Sequence, residues 1–494
     1  MRSPIEEVPV LIVGAGPAGL TAAATLAHYG VESLLVEKRA KPSTVPRATG
    51  VSTATMELLR SWGIEKRVRA GEIGVEMRPW VTETLAAAAD GEAVDAGFPS
   101  RDQSLLLSPT APAGVAQDHL EPVLEEHLES LGTARLERGT TVTALKRHGD
   151  GFEVALADGA GRERRIRAPY LIAADGPRGI VRPALGIGTS GPGEIGERRM
   201  ALFRAPLWEL VGEHRYAIYF LTGKDPSAVF VPADGTDRWV FASEFDPADA
   251  NALTSEGIAD SIRRAAGNPG LEPRFERIET VTYGVALADR FRNGNAFLVG
   301  DAAHRVTPRG ATGLNTAIRG AHDLGWKLAW VLRGWAEEQL LTSYEAERRP
   351  IAEHNASRSA DPNGSIRDTS SELRADLGGR IVHLWVDGRE GRTSTLDLLG
   401  QGLTLFTGSE PGPWASAAAS LGEGAPVALR PLDELSARAL GIRGGGALLA
   451  RPDGLPVALW DSPPIHAGVR EGELEVDLFG GSLKNAAGAS LGAR

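Results

Sequence analysis

Apolar residues first gather in a short run, Val8–Val13, followed by the turn Gly14-Ala15-Gly16 and an Ala-rich stretch, Pro17–Tyr29, with helical character; a second apolar run, Val31–Val36, ends at Glu37. Strand, turn, helix and strand in that order predict a βαβ unit and hence a parallel sheet. From Tyr216 to Phe245 the pattern changes to aromatic-rich, alternating segments, with Asp234-Gly235 as a turn signal, which predicts a more open antiparallel sheet. Asn295–Val299 is again an uninterrupted apolar strand, and an amphipathic helix is expected from Gly313 to Leu332. The polar stretch Asn355–Arg380 reads as a linker region, and apolar runs resume in Leu396–Leu405 and Ala447–Ala450. The Gly-, Ala- and Ser-rich tail after Gly480 predicts disorder.

With 494 residues the chain has room for two or three domains. Its net charge of −11 is the wrong sign for a protein built around nucleic acid or an anionic membrane. No cysteine is present, so disulfides, thiolate metal sites and dithiol redox chemistry are excluded, and any redox function needs a borrowed cofactor. Val8–Ala27 is uncharged but holds Pro9, Gly14, Gly16, Pro17 and Gly19, which argues against a membrane span. Glu6 and Glu7 stand where a signal peptide would be basic, so a cytoplasmic location is expected. No metal site is expected.

Gly14-Ala15-Gly16-Pro17-Ala18-Gly19, between strand and helix and answered by Glu37, meets the context of a dinucleotide fingerprint. Gly14 permits the turn, Gly16 admits a pyrophosphate to the helix N-terminus, and Gly19 allows close packing, while Glu37 suits adenosine ribose hydroxyls. The fingerprint alone leaves FAD and NAD open. A second match, Gly191–Gly196, precedes no helix and reads as a surface loop. Farther on, Asp301 follows the strand Ala296–Val299, where a carboxylate suits a polyol such as ribityl, and Gly310–Asn315 opens a helix whose free N–H groups suit developing negative charge on a reduced flavin.

Taken in order, the Gly14 fingerprint, Pro46-Arg47-Ala48, Gln117, Asp175-Gly176 with Arg182, Gly300-Asp301, Gly310–Asn315 and Trp326-Lys327-Leu328-Ala329 resemble the group A flavin monooxygenases of the p-hydroxybenzoate hydroxylase fold, aromatic polyketide hydroxylases in particular. The resemblance implies an α/β protein: a Rossmann-type FAD-binding domain, an interleaved mixed or antiparallel-sheet substrate domain, and a small thioredoxin-like α/β domain. The expected boundaries are 1–180 for the first FAD part, with a substrate-domain insertion near 75–105, 181–280 for the substrate sheet, 281–360 for the second FAD part, 361–394 for a linker and 395–494 for the cysteine-free thioredoxin-like domain.

The resemblance further implies that Glu37 and Lys38 meet adenosine ribose, Arg47 and Ala48 the pyrophosphate region, and Gln117 the flavin side. The backbone of Val142 would meet adenine, Asp175 and Asp301 would belong to the cofactor site, and Pro308, Gly310, Gly313, Leu314 and Asn315 would frame the flavin pyrimidine, together with Gly14, Gly16, Pro17, Ala18 and Gly19. Its implied chemistry is hydroxylation of a polycyclic phenol with FAD, NADPH or NADH as transient co-substrate, and O2 activated as a flavin C4a-hydroperoxide. Baeyer–Villiger oxygenation of a ketone and a flavin-binding partner with little turnover remain alternatives, and a monomer or homodimer is expected. Tyr216, Ile218, Phe220, Trp239 and Phe241 are candidate pocket residues, and no general base stands out. Ala311, Gly179 and Gly320 depart from the usual pattern. Arg309, between Pro308 and Gly310, is a candidate to pair with a substrate phenolate or carboxylate or to stabilise reduced flavin.

Overall fold

The computed structural model describes residues 5–223, 228–246, 248–388, 391–420 and 426–462; the tail after Gly480 lies outside them. The chain forms two compact units, Met1–Ser104 with Thr110–His322 and Glu347–Asp376, and Leu105–Pro109 with Asp323–Ala346 and Leu377–Arg494.

In the first unit a six-stranded sheet runs in the order Arg292–Asn293, Ala296–Leu298, Tyr170–Ala173, Val10–Val13, Ser33–Glu37, Ala134–Arg138. All its pairings are parallel except the Arg292–Asn293 edge, and Ile12 lies between Leu35 and Ile172. Val10–Val13 is buried throughout, which is why it reads as continuous rather than alternating. The helix Pro17–His28 starts with proline at its first position, where the missing N–H costs no helical bond. Val142 is buried in the strand Thr141–His148 of a separate four-stranded sheet.

The third large element is an eight-stranded sheet that includes Glu76–Thr82, Thr189–Arg204, Tyr216–Leu221, Val229–Pro232, Arg238–Ser243, Arg274–Ala288 and His304–Arg305. Its two faces differ. One carries Ala201, Phe203, Tyr219, Phe230, Trp239 and Phe241 into a core shared with Ile258 and Ile262 of the amphipathic helix Ser255–Ala266. Thr254 caps that helix by accepting the Gly257 N–H, and Gly267 ends it in the left-handed region. The other face gathers Leu202, Ala233 and Val240, with Met200 and Val231 packed against them. The pairings Phe220↔Val229, Val231↔Val240 and Leu202↔Val240 put Ile218 and Phe220 on this second face too.

Two expectations change here. Gly191–Gly196 is not a loop but part of the strand Thr189–Arg204, where bulges at Ser190/Gly193 and Glu194/Gly196 absorb the glycines. Much of the stretch read as a 361–394 linker is ordered: Thr369–Leu377 is a helix, and the Asp376 carboxylate accepts from Ser52 Oγ and the Ala54 N–H at 2.9 Å each.

In the second unit a sheet runs Val427–Pro431, Leu403–Thr407, Ala447–Ala450, Pro456–Trp460, its first pair parallel and the others antiparallel. That order, second, first, third, fourth, is the thioredoxin-like arrangement expected. Lys327 is fully buried and donates to Asp323 at 2.9 Å, and the Arg451 guanidinium lies 5.1 Å from the Trp326 ring centre.

Candidate cofactor and substrate site

Two of the fingerprint glycines answer to the protein itself. Gly14 has φ +103°, and a Cβ there would lie 2.3 Å from the Ala174 carbonyl oxygen; at Gly19 it would lie 1.8 Å from the carbonyl oxygen of Gly14. Gly16 is different: its backbone is extended, and a Cβ would meet nothing within 4 Å. The space above Gly16 is therefore a cradle at a helix N-terminus, open to a ligand. Glu37 borders it. Its carboxylate accepts the Ala15 N–H at 2.9 Å and the Arg39 N–H and Nε–H at 2.9 and 3.0 Å. Burial pushes the Glu37 carboxyl up, but these donors and the Arg39 charge outweigh it and hold the group below its ordinary value.

Across the sheet, Asp301 follows Ala296–Leu298 in a short 3-10 turn. Asp301 itself is exposed, between buried Gly300 and Ala302. Loss of hydration raises its carboxyl, and the Arg47 and Arg305 guanidiniums oppose the rise. Arg47 also acts on Glu121, which burial raises and whose Oε1 accepts from Gln117 Nε2 at 2.7 Å. The Ala48 carbonyl accepts the Gln117 N–H at 2.8 Å. Asp175 Oδ2 accepts the Val181 N–H at 3.0 Å, and its carboxyl is raised by burial. Asp175 Oδ1 and Glu121 Oε2 are buried acceptors without a partner among the described residues. A side chain at Gly179 would collide with Asp175, a Cβ lying 2.1 Å from its Cγ, which accounts for glycine there.

The loop before the helix Gly313–Leu332 is held from both ends. Thr307 Oγ1 donates to the Ser359 carbonyl at 2.8 Å, and Arg367 Nη2 donates to the Gly310 carbonyl at 2.7 Å. Ala311, at φ +51°, is the one residue other than glycine in the left-handed region among those described. Asn315 Oδ1 accepts the Ser52 N–H at 2.8 Å and its Nδ2 donates to the Gly50 carbonyl at 3.1 Å. Helical geometry leaves the N–H groups of Gly313, Leu314 and Asn315 without intrahelical acceptors, so they form a donor set for an anionic edge.

Residues 7–359 match the family model described as the FAD binding domain, and residues 374–475 match that of the aromatic-ring hydroxylase C-terminal domain. The chain belongs to the FAD-binding aromatic-ring hydroxylases. This hydroxylase is 36% identical to the tetracenomycin A2 monooxygenase-dioxygenase of Streptomyces glaucescens, covering 91% of this chain and 92% of that one. It is 33% identical to the aklavinone 12-hydroxylase RdmE of Streptomyces purpurascens, covering 91% and 95%. Among solved structures it is similar to aklavinone-11 hydroxylase in complex with FAD and aklavinone, at 31% identity and TM-score 0.82 over 93% and 96% of the chains.

The residues of the hydroxylase fit FAD. Gly16 offers room at the helix N-terminus, Glu37 and Asp301 are carboxylates at the two strand ends, and the first turn of Gly313–Leu332 offers N–H donors. Lys38 is exposed beside Glu37, and Pro308 is exposed beside a half-buried Arg309 whose Nη1 lies 3.5 Å from the Ala360 carbonyl. Ile218 and Phe220 lie on the second face of the eight-stranded sheet. Tyr216 does not: it stacks on Trp80 at 4.3 Å and packs against the first face. Trp239 and Phe241 are corrected as well, since they are fully buried on that face and line no opening.

Sequence reasoning missed Arg367, which sits in a polar segment with no motif to signal it.

Proposed function

We propose that this hydroxylase binds a polycyclic, polyketide-type phenol against the second face of the eight-stranded sheet and adds one oxygen atom to it at the expense of NADPH or NADH. The observation that carries the reading is the division of that sheet. Its first face is closed by a helix into a core, while on the other the partly buried Met200, Ile218, Phe220 and Val231 lie beside buried Leu202 and Val240 and are flanked by Arg204, Arg238, Arg277 and Glu279, an apolar patch with a polar rim suited to a flat aromatic molecule bearing oxygens. Relatives named for tetracenomycin and aklavinone support the substrate class.

Bound FAD supplies the redox and oxygen-activating chemistry. Glu37 and the Gly16 cradle hold its adenosine and pyrophosphate, Asp301 its polyol chain, and the N–H groups of Leu314 and Asn315 its pyrimidine edge. The apolar sheet face orients the aromatic ring and excludes water, which favours oxygen transfer over release of peroxide. Net charge −11 and the lack, among the described residues, of a helix long and apolar enough to cross a membrane fit a cytoplasmic enzyme acting as a monomer or homodimer without nucleic acid.

The test is NADPH oxidation by the FAD-loaded protein with and without a tetracyclic phenol under labelled O2. Faster oxidation and a product carrying one labelled oxygen on the ring are expected. Insertion beside a ketone, or no response to any polycyclic phenol, overturns the reading.

A further inference from the structure

The polar stretch from Asn355 to Glu372 is tied to the flavin-side loop by side chains that no sequence motif marks. The Arg367 guanidinium lies against Gly310: its Nη2 donates to the Gly310 carbonyl at 2.7 Å, and a Cβ at Gly310 would lie 3.4 Å from its Cζ. The Ala311 N–H donates to the Pro308 carbonyl at 3.0 Å, so the peptide before the left-handed Ala311 is held at both ends. The Arg367 backbone is fixed in turn, its N–H donating to the Asp95 carbonyl at 3.0 Å. Arg367 Nη1 donates to Glu372 at 2.8 Å, and Glu372 also accepts from Arg358. From Arg358 the bonds run on to the helix Gly313–Leu332: Arg358 Nη2 donates to Asn355 Oδ1 at 2.7 Å, Asn355 Nδ2 to Thr316 Oγ1 at 2.9 Å, and Thr316 Oγ1 to the Thr312 carbonyl at 2.8 Å. One bracket thus grips the loop at Gly310 and the helix at its first turn.

The bracket does not balance its charge. Two guanidiniums, those of Arg358 and Arg367, share the Glu372 carboxylate, and their side chains are only 12% and 7% exposed. Other acids nearby are engaged elsewhere. Asp376 pairs with Arg319 at 3.3 Å, and the exposed Asp361 and Asp368 accept the N–H groups of Asn363 and Ser371 in their own turns. Burial and the Arg358 charge lower the Arg367 pKa, and Glu372 opposes them. A guanidinium nevertheless keeps its proton at any working pH. A surplus positive charge therefore stands behind the loop, where burial leaves it weakly screened.

We propose that Arg358, Arg367 and Glu372 are positioning residues for the flavin: they set the turn whose N–H groups meet its pyrimidine edge, and their surplus positive charge favours the reduced, anionic cofactor. The inference rests on the placement of that edge at the first turn of Gly313–Leu332 given above, and adds what fixes the turn and what tunes it electrically. The potential of a bound cofactor reports the difference between its oxidised and reduced affinities. Damage that weakens both forms equally leaves it unmoved, whereas a charge at the site does not.

The test is the midpoint potential of FAD in the full-length holoprotein, read anaerobically against a reference dye, with FAD affinity and apoprotein melting measured on the same variants. Arg367→Met removes the grip and one charge, and should lower the potential and weaken FAD binding about tenfold. Glu372→Gln keeps an acceptor for the guanidiniums but removes the compensating charge, and should raise the potential. Arg367→Lys keeps the charge and should restore most of the parent value. A bracket that only supports the fold would lower melting temperature and affinity in the Met and Gln variants without moving their potentials in opposite senses. Parent-like potentials in both, or shifts of the same sign, overturn the inference. Thr312→Asp tests the placement separately. Thr312 precedes the helix, its carbonyl accepting the Thr316 N–H at 2.9 Å, and aspartate is a favoured residue at that position. Its added charge should lower the potential of a flavin whose pyrimidine edge lies at this turn. A lowered potential in Thr312→Asp with parent-like potentials in the bracket variants refutes the bracket alone; parent-like potentials in all of them refute the placement as well.

Discussion

Replacing Gly16 with alanine separates cofactor recognition from folding, because the three fingerprint glycines differ in what a methyl group would meet. At Gly16 the backbone is extended at φ −81° and ψ −177°, which alanine adopts freely, and the methyl would touch no protein atom within 4 Å. In the apoprotein the reduced entropy of the unfolded chain, about 0.4–1 kcal/mol, is opposed by the weaker helix-capping tendency of alanine, so stability should change by about 0.5 kcal/mol or less. The FAD complex should respond differently. The methyl projects into the space where a pyrophosphate meets the helix N-terminus, and hydrogen bonds to a charged group contribute roughly 1.5–3 kcal/mol each. Displacing one or two of them weakens binding by about 3 kcal/mol, on the order of a hundredfold. At an FAD concentration a hundred times the parent Kd, ligand-linked stabilisation would fall from about 2.7 to about 0.4 kcal/mol. Calorimetric melting of apoprotein and reconstituted protein reads both quantities at once. A parent-like FAD-induced rise in Tm would refute a pyrophosphate at Gly16, and a large loss of apoprotein stability would refute the open cradle. Gly19→Ala is the contrasting case, since its Cβ would collide with the Gly14 carbonyl whether or not FAD is bound.

Trp239→Ala should cost about 3–5 kcal/mol of stability by opening a cavity in the closed face of the sheet, whereas Phe220→Ala should chiefly raise the substrate KM; chemical denaturation and steady-state kinetics distinguish them, and the reverse pattern would mean the faces are misassigned. Ala311→Gly should stabilise the protein by about 0.5–1 kcal/mol, since a left-handed alanine costs roughly 1–2 kcal/mol and part of the gain is offset by unfolded-chain entropy; a lower Tm would contradict the strain. His304 is buried, and burial, aided by the Arg348 charge, lowers its pKa from 6.5 to about 4. Between those values the unfolded chain takes up a proton that the folded chain refuses, so stability is full above pH 6.5 and falls by roughly 3 kcal/mol towards pH 4. His304→Gln should flatten the pH dependence in that window, and an unchanged slope would place its source elsewhere.

The strand–turn–helix around Gly14, the strand leading to Asp301 and the helix Gly313–Leu332 were legible because each is specified by its own residues: continuous apolar strands, glycines where the backbone is crowded, and a helical period of apolar positions. The alternation from Tyr216 to Phe245 announced a two-faced sheet, but alternation is blind to which face the rest of the chain covers. The helix Ser255–Ala266 made that choice, so Trp239 and Phe241 went to the core while Ile218 and Phe220 did not. The stretch holding Arg367 looked like a linker because it is polar, yet ion pairs of Glu372 with Arg358 and Arg367 fix it in place.

The six-stranded sheet is assembled from the start, the middle and the end of the first unit: Val10–Val13 pairs with Tyr170–Ala173, which pairs with Ala296–Leu298, and Asn315 then reaches a Ser52 N–H 263 residues back. On a ribosome adding roughly 5–20 residues per second, the fingerprint turn emerges tens of seconds before Asp301 and Asn315 exist. Through that interval the nascent chain holds the adenosine half of a cofactor site with no flavin half to complete it. Firm capture of FAD is therefore a late event in the birth of the protein, and truncation anywhere before about residue 320 should leave a product that cannot retain flavin, however complete its N-terminal motif.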